Sequence, residues 1–290
     1  MRYMTLSEKI GRAANLTLLF LMGLAALFPF LHVLAQSLSS HTAIVSDRVS
    51  VYPVGWQLEA YKQLLQDGAF YRSFGVAIIR TVLGTAINMT LTCLMAYSLS
   101  RKHLKGRGLV MNMVIFTMIF NGGMIPTFLL LKQLHLLDTI WSLLLPSAVS
   151  AFNLILLKNF FQTIPESLVE SARIDGAGHG IILRRLFVPL SLPAMATLTL
   201  FYAVMHWNSY FDAVMYINNS NLLPLQVYLR NVIVLDDSNM NLIDYSGATL
   251  ISPESLKAAT IIASVVPMIA IYPFVQHYFA KGVMLGAVKE

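Results

Sequence analysis

The sequence predicts an all-α fold that crosses a membrane six times and carries one short helix on the cytoplasmic side. Three observations support this. Hydrophobic residues make up 57% of the 290-residue chain and charged residues 12%, against about 45–50% and about 25% in soluble domains. Six apolar stretches reach the roughly 20 residues that a helix needs to cross the hydrocarbon layer. Lysine and arginine concentrate on one side of those stretches, as the positive-inside rule requires. The apolar residues run continuously instead of alternating at period two, which selects helices over barrel strands.

The first span is expected at 14–35. Arg2, Lys9 and Arg12 before it, and Val33-Leu34-Ala35 at its end, imitate a signal peptide. The run is longer than the roughly 7–15 residues of a signal core, so it reads as a retained span. The second span, 74–99, contains Arg80, and the third, 109–131, is interrupted by Asn121-Gly122-Gly123. The fourth is expected at 140–161. The fifth, 187–217, begins around Pro189 and Pro193, which allow bending. The sixth is expected at 256–279. Outer loops at 37–72 and 218–255 hold prolines and aromatics (Tyr52, Pro53, Trp56, Tyr61; Pro224, Tyr228, Tyr245, Pro253), so short interfacial helices are expected there. With no repeat, low-complexity tract or linker, residues 1–290 read as a single transmembrane domain.

With the N-terminus inside, thirteen of the twenty Lys and Arg residues fall on inner segments, six fall on outer loops, and Arg80 lies within a span. Asp236, Asp237, Asp244 and Glu254 make the second outer loop net acidic. Both termini are therefore expected in the cytoplasm. The +6 net charge records this asymmetry and calls for no nucleic-acid partner. The single cysteine, Cys93, excludes a disulfide framework and a Cys-based zinc cluster. No phosphate-binding loop occurs, and the run Gly176-Ala177-Gly178-His179-Gly180 follows a helical pattern instead of a strand. No paired carboxylates, nucleophile–base motif or His-based metal motif is present, so neither an intramembrane enzyme nor a bound metal is expected.

The most informative segment is the cytoplasmic loop 163–189. Thr163 suits a cap, Pro165 the first helical position, and Glu166 the positive end of the helix dipole. Gly176 can leave right-handed space and end the helix. Leu168 and Ala172, four residues apart, are expected to lay it along the inner membrane face. Glu170-Ser171-Ala172, then Gly176, then Leu186-Phe187-Val188-Pro189 resembles the "EAA" loop of ATP-binding-cassette importer permeases: Glu-Ala-Ala, three residues, Gly, nine residues, Ile-x-Leu-Pro. Ser171, Leu186 and Val188 depart from the pattern with similar bulk. The six spans, Ala172-Arg173-Ile174-Asp175-Gly176-Ala177 and the ending from Lys281 to Lys289 are similar to the six-span subunits of maltose-type carbohydrate permeases. Asn121-Gly122-Gly123-Met124-Ile125-Pro126 and His206-Trp207-Asn208-Ser209-Tyr210-Phe211 resemble a narrower branch that handles aldouronates, pectin fragments and alginate.

This resemblance implies a type I importer permease fold in the bacterial cytoplasmic membrane. It implies a homologous permease partner, two ATPase subunits that keep the ATP and Mg, a solute-binding protein outside, and a saccharide cargo. The loop helix would couple to the ATPase through Glu170, Ser171, Ala172, Asp175, Gly176 and Ala177, with Pro189 at the entry to the next span. The tail from Gly286 to Lys289 either reaches the ATPase or frays. Candidates for the translocation path are Arg80, Asn121, Tyr202, His206 and Asp212. Arg80 either snorkels outward or serves as a pathway cation suited to an acidic sugar. Asp212 either lines the path or pairs within the bundle. Tyr202, His206, Ser209 and Ala213 are expected along one helical face, which meets either sugar or a partner subunit. A self-sufficient secondary transporter or channel is the alternative, but it lacks midplane coupling carboxylates and inverted repeats.

Overall fold

The computed structural model of the protein describes the backbone of residues 6–234 and 252–287 and the side chains of 9–234, 252–271 and 273. Asp236, Asp237, Asp244 and Tyr245, and the side chains from Gly286 to Lys289, lie outside the described residues. Among the described residues every regular element is helical. The chain divides into two compact units, Met1–Phe70 with Leu229–Val266 and Tyr71–Tyr228 with Pro267–Glu290.

In the first unit, α1 (Leu6–Ser37) is followed by two short helices in the predicted outer loop, α2 (His41–Val45) and α3 (Glu59–Gln66). Leu16, Leu18, Leu19, Phe20, Leu21 and Met22 are all exposed. Such an all-round apolar surface belongs in lipid or against another chain. The small core of the unit gathers Ala35, Ala43 and Val49 against Ile44 and Val54. Ser40 caps α2 by accepting the Ala43 N–H, and the His32 Nδ1–H donates to the Ser50 carbonyl at 2.7 Å.

The second unit begins within α4 (Gly68–Ser100). It continues through α5 (Arg107–Ile119), α6 (Met124–Gln133), α7 (Trp141–Leu144), α8 (Ala151–Gln162) and α9 (Glu166–Ile174). Next come α10 (His179–Ile182), a π-helical turn (Leu183–Phe187), α11 (Val188–Leu190), α12 (Leu192–Asn208) and α13 (Phe211–Tyr216). The chain then forms α14 (Leu225–Val234) and, among the described residues, ends in α15 (Pro253–Ala287). The main core of this unit packs Leu154, Leu157 and Phe161 of α8 against Ala96, Phe187, Leu198 and Val169. Hydroxyls in apolar helices are satisfied locally: Thr90, Ser98, Thr197 and Thr199 each donate to the carbonyl four residues back.

Three helices among the described residues are long and apolar enough to cross a membrane: Lys9–Ser37, Gly68–Ser100 and Pro253–Ile271. They rise to five if two bent pairs each count as one. The third, fourth and fifth predicted spans are not single straight helices, and the fourth and fifth depart from expectation. The third predicted span breaks at Asn121-Gly122-Gly123 and bends by 117° between α5 and α6. The fourth is not one helix. After the single turn of α7, Pro146 interrupts the ladder, because it lacks an N–H and its ring clashes with the preceding turn. The helix restarts at α8, where Ser150 accepts the Asn153 N–H. The fifth bends by 86° at Ser191, between Pro189 and Pro193. It stops again at Ser209, whose backbone is extended. Ser209 and Ala213 therefore do not share the α12 face that carries Tyr202 and His206.

Asp138 anchors the loop after α13. Its carboxylate accepts the backbone N–H groups of Asn218 and Asn219, and its own N–H donates to the Tyr216 carbonyl at 3.0 Å. These backbone hydrogen bonds, that from Asn218 foremost, hold the carboxyl below the usual aspartate range.

Candidate functional site

Three of the helix breaks in the second unit, at Asn121–Gly123, at Pro146 and at Ser209, meet at one place, whereas the bend at Ser191 lies elsewhere. A cavity of about 480 Å³ is lined by Asn121 and Gly123 from the first break, Pro146 and Ser147 from the second, and Ser209 from the third. Within a membrane, non-helical backbone is tolerated only where protein or water satisfies it, and here side chains do so. Arg80 donates to the Ser209 carbonyl at 3.0 Å, and Asn88 Nδ2 donates to the Ser147 carbonyl at 2.6 Å. Asn121 Oδ1 accepts the Gly123 N–H at 2.9 Å, and Gly123 itself turns at φ +89°.

Arg80, 1% exposed, does not snorkel: its guanidinium forms an ion pair with Asp212. Asp212 is held from two further sides, accepting from Ser209 Oγ and from the Ala213 N–H, both at 2.9 Å. The carboxylate cancels the guanidinium charge, so the pair presents polarity without a net charge. The Arg80 Nε is buried with no hydrogen-bond partner. On the adjoining wall, His206 Nε2 lies 3.0 Å from Asn88 Oδ1. Gly84 leaves room for that imidazole, since a Cβ at residue 84 would sit 2.3 Å from His206 Nε2. Thr127 and Ser142 add hydroxyls, and Met205, Phe211 and Tyr216 add apolar surface. A lining that mixes donors, acceptors and apolar faces suits a polyhydroxylated ligand.

Four of the five predicted path residues, Arg80, Asn121, His206 and Asp212, line this cavity. Tyr202 does not. It is fully buried, its hydroxyl lies 2.7 Å from Thr92 Oγ1 and accepts the Ser150 N–H at 3.2 Å, and so it braces the start of α8. Sequence reasoning missed Gly84, Asn88 and Ser147 as structural partners, and placed Ser209 on the His206 helical face instead of at the break beyond it. The one available signal was an asparagine and a glycine one turn apart in an otherwise apolar span.

The predicted short loop helix is α9. It begins at Glu166 with Pro165 in the cap position, and Thr163 instead donates its hydroxyl to the Phe160 carbonyl at the end of α8. The inward residue is Val169, 2% exposed, whereas Leu168 is 44% exposed. Gly176, at φ +80°, ends the helix. The Gly176 N–H donates to the Arg173 carbonyl and the Ala177 N–H to the Ala172 carbonyl, closing a Schellman motif with its Ala172–Ala177 apolar flank. Glu170, Ser171, Asp175 and Gly176 are exposed, Ala172 and Ala177 half-buried, and Pro189 exposed next to the 86° bend. Behind α9 an aromatic cluster ties the elements together: Phe187 meets Tyr97 and Phe161 edge-on with centroids 5.1 and 5.2 Å apart. Among the described residues, no three His, Cys, Asp or Glu side chains converge as a metal site would need.

Residues 88–285 match the family described as "Binding-protein-dependent transport system inner membrane component". The polygalacturonan/rhamnogalacturonan transport system permease protein YtcP of Bacillus subtilis (strain 168) is 46% identical, over 93% of this chain and 95% of that one. Protein LplC of the same strain is 44% identical, over 98% of this chain and 97% of its own. Among solved structures, a chain of a bacterial ABC transporter involved in the import of the acidic polysaccharide alginate superposes with a TM-score of 0.89. It is 36% identical and covers 96% of this chain and 100% of its own.

Proposed function

We infer, from the premise that this chain belongs to the family of inner membrane components of binding-protein-dependent transport systems, that it is the permease subunit of an ATP-binding-cassette importer for sugar polymers. The 46% identity to a polygalacturonan/rhamnogalacturonan permease and the 0.89 superposition on a chain of an alginate importer support an acidic polysaccharide or its oligosaccharides as cargo. In this reading residues 1–290 act as one permease domain. The α7–α8 pair makes a sixth crossing, and both termini lie in the cytoplasm. Separate ATPase subunits hydrolyse ATP, a second, homologous permease completes the pathway, and a solute-binding protein delivers the sugar from outside.

α9 is then the coupling helix. Closure of the ATPase subunits around ATP must move transmembrane helices, and a rigid capped element can transmit that motion. The Schellman closure at Gly176 makes α9 such an element. Val169 and Ala172 seat it on the core, while Glu170, Ser171 and Asp175 face outward for charge-assisted contacts. The shared opening of three broken helices onto one polar cavity supports this segment as part of the sugar path more than any other single observation. Arg80 reads a uronate only by exchanging Asp212 for the sugar carboxylate.

The test is reconstitution with the partner subunits. Oligogalacturonate-loaded binding protein should stimulate ATP hydrolysis and drive uptake. Replacing Glu170 with Trp should uncouple hydrolysis from uptake while the membrane subunits still insert. Normal uptake with normal stimulation in that variant would remove the coupling role.

A further inference from the structure

A second cavity, of about 620 Å³, lies at the opposite end of α4, bounded by Tyr97, Arg101, Glu166, Arg173 and His179. Arg101 is fixed there by stacking, its Cζ 4.4 Å from the Phe187 ring centroid and 5.0 Å from that of Tyr97. Stacking sets the plane of the guanidinium and leaves its N–H edge available to a ligand. The Arg101 Nε is buried with no partner. The Tyr97 hydroxyl lies 3.0 Å from His179 Nδ1, which orients that imidazole at the cavity edge. Among the described residues, neither Arg101 nor Arg173 forms an ion pair. Glu166 is the single acid in the lining, against two arginines and two histidines, His103 and His179. Desolvation pushes the Arg101 guanidinium below its usual range, Tyr97 and Glu166 oppose the shift, and Arg173 adds to it. Two arginine charges thus share one concavity with less acid than would balance them. Leu94, Leu104 and Leu183 make the rest of the wall apolar.

We propose that this cavity is a binding site for a phosphoryl anion, supplied by the headgroup of an anionic phospholipid. Planar guanidinium groups match phosphate oxygens, and basic pockets at the cytoplasmic ends of membrane helices suit such headgroups. The leucine wall favours a lipid over free phosphate, because it gives the first acyl methylenes an apolar seat. The assignment to the inner leaflet rests on the orientation under Proposed function. The anion site itself does not.

The experiment uses the complete transporter in phosphatidylcholine nanodiscs with and without phosphatidylglycerol, and counts retained lipids by native mass spectrometry. Wild type should retain phosphatidylglycerol selectively, and Arg101→Gln should weaken that retention about tenfold. Glu166→Gln should strengthen it several-fold, a gain that misfolding cannot produce. If inorganic phosphate displaces phosphatidylglycerol while lipid selectivity is weak, the anion site stands and its source is soluble. Equal retention of both lipids, with neither variant nor phosphate having any effect, overturns the proposal. The orientation is read separately. Labelling of His103→Cys by an impermeant thiol reagent from outside would defeat the inner-leaflet assignment and leave the anion site intact. The buried native Cys93 keeps the background low.

Discussion

Gly84→Ala tests how tightly the cavity wall is built. The new Cβ would stand 2.3 Å from His206 Nε2 and 2.6 Å from Cδ2 and Cε1, where carbon contacts normally need about 3.5–4.0 Å. The imidazole, 1% exposed, must retreat by more than its surroundings allow without strain. Overpacking of this kind costs about 1–3 kcal/mol. Retreat also breaks the 3.0 Å contact to Asn88 Oδ1, a loss of about 0.5–1.5 kcal/mol. Against this, alanine is favoured over glycine inside a helix by roughly 1 kcal/mol. The net expectation is a destabilisation of about 0.5–3.5 kcal/mol. In a His206→Ala background the clash disappears and only the helix term remains, so the same substitution should be neutral or stabilise by up to about 1 kcal/mol. Unfolding of the purified complex, followed by thermal or denaturant titration across the four-variant cycle, measures both values. If Gly84→Ala costs the same in both backgrounds within about 0.5 kcal/mol, the packing argument is refuted.

Asp212→Asn should destabilise more than the double change Arg80→Gln with Asp212→Asn, because it strands a buried guanidinium, at a cost of about 3–5 kcal/mol; unfolding of the two variants decides the order. Gly176→Ala meets no atom within 4 Å, so its whole cost is the left-handed backbone, about 1–2 kcal/mol. It should lower sugar-stimulated ATP hydrolysis without lowering membrane insertion, read by ATPase assay and by yield. Asp138 binds its proton less readily when folded than when unfolded, so its contribution is present above the ordinary aspartate range near pH ~4 and is lost as pH falls through its lower folded value. The protection of the Asn218 and Asn219 amides against hydrogen exchange, taken relative to the intrinsic rate at each pH, should fall over that acid window in the wild type, and Asp138→Asn should remove that fall.

Helical class was legible because an apolar chain in lipid must satisfy its backbone internally. Gly176 was legible because left-handed backbone is cheap only for glycine. The break at Asn121-Gly122-Gly123 was legible for the same local reason. The break at Pro146 was not, because hydropathy averages over a window and leucines flank that proline on one side. The helix start at Glu166 was misread by assigning Thr163 to the wrong helix: its hydroxyl closes α8, and Pro165 provides the extended residue ahead of α9. Asn88, Ser147 and His206 are far apart in the chain, and nothing local marks them as partners. Their union depends on how the unbroken α4 packs against the α7–α8 break and α12, which no single segment encodes.

The bareness of α1 has a consequence for biogenesis. Only 6% of its apolar window is buried by the rest of the chain, so the helix gains little from its own protein when it first forms. Its insertion is judged by the translocation machinery and the lipid, residue by residue. Exchanging Leu24 for Ile should therefore pass unnoticed, whereas a single aspartate there meets a partition penalty of about 2.5–3.5 kcal/mol before any tertiary contact can compensate.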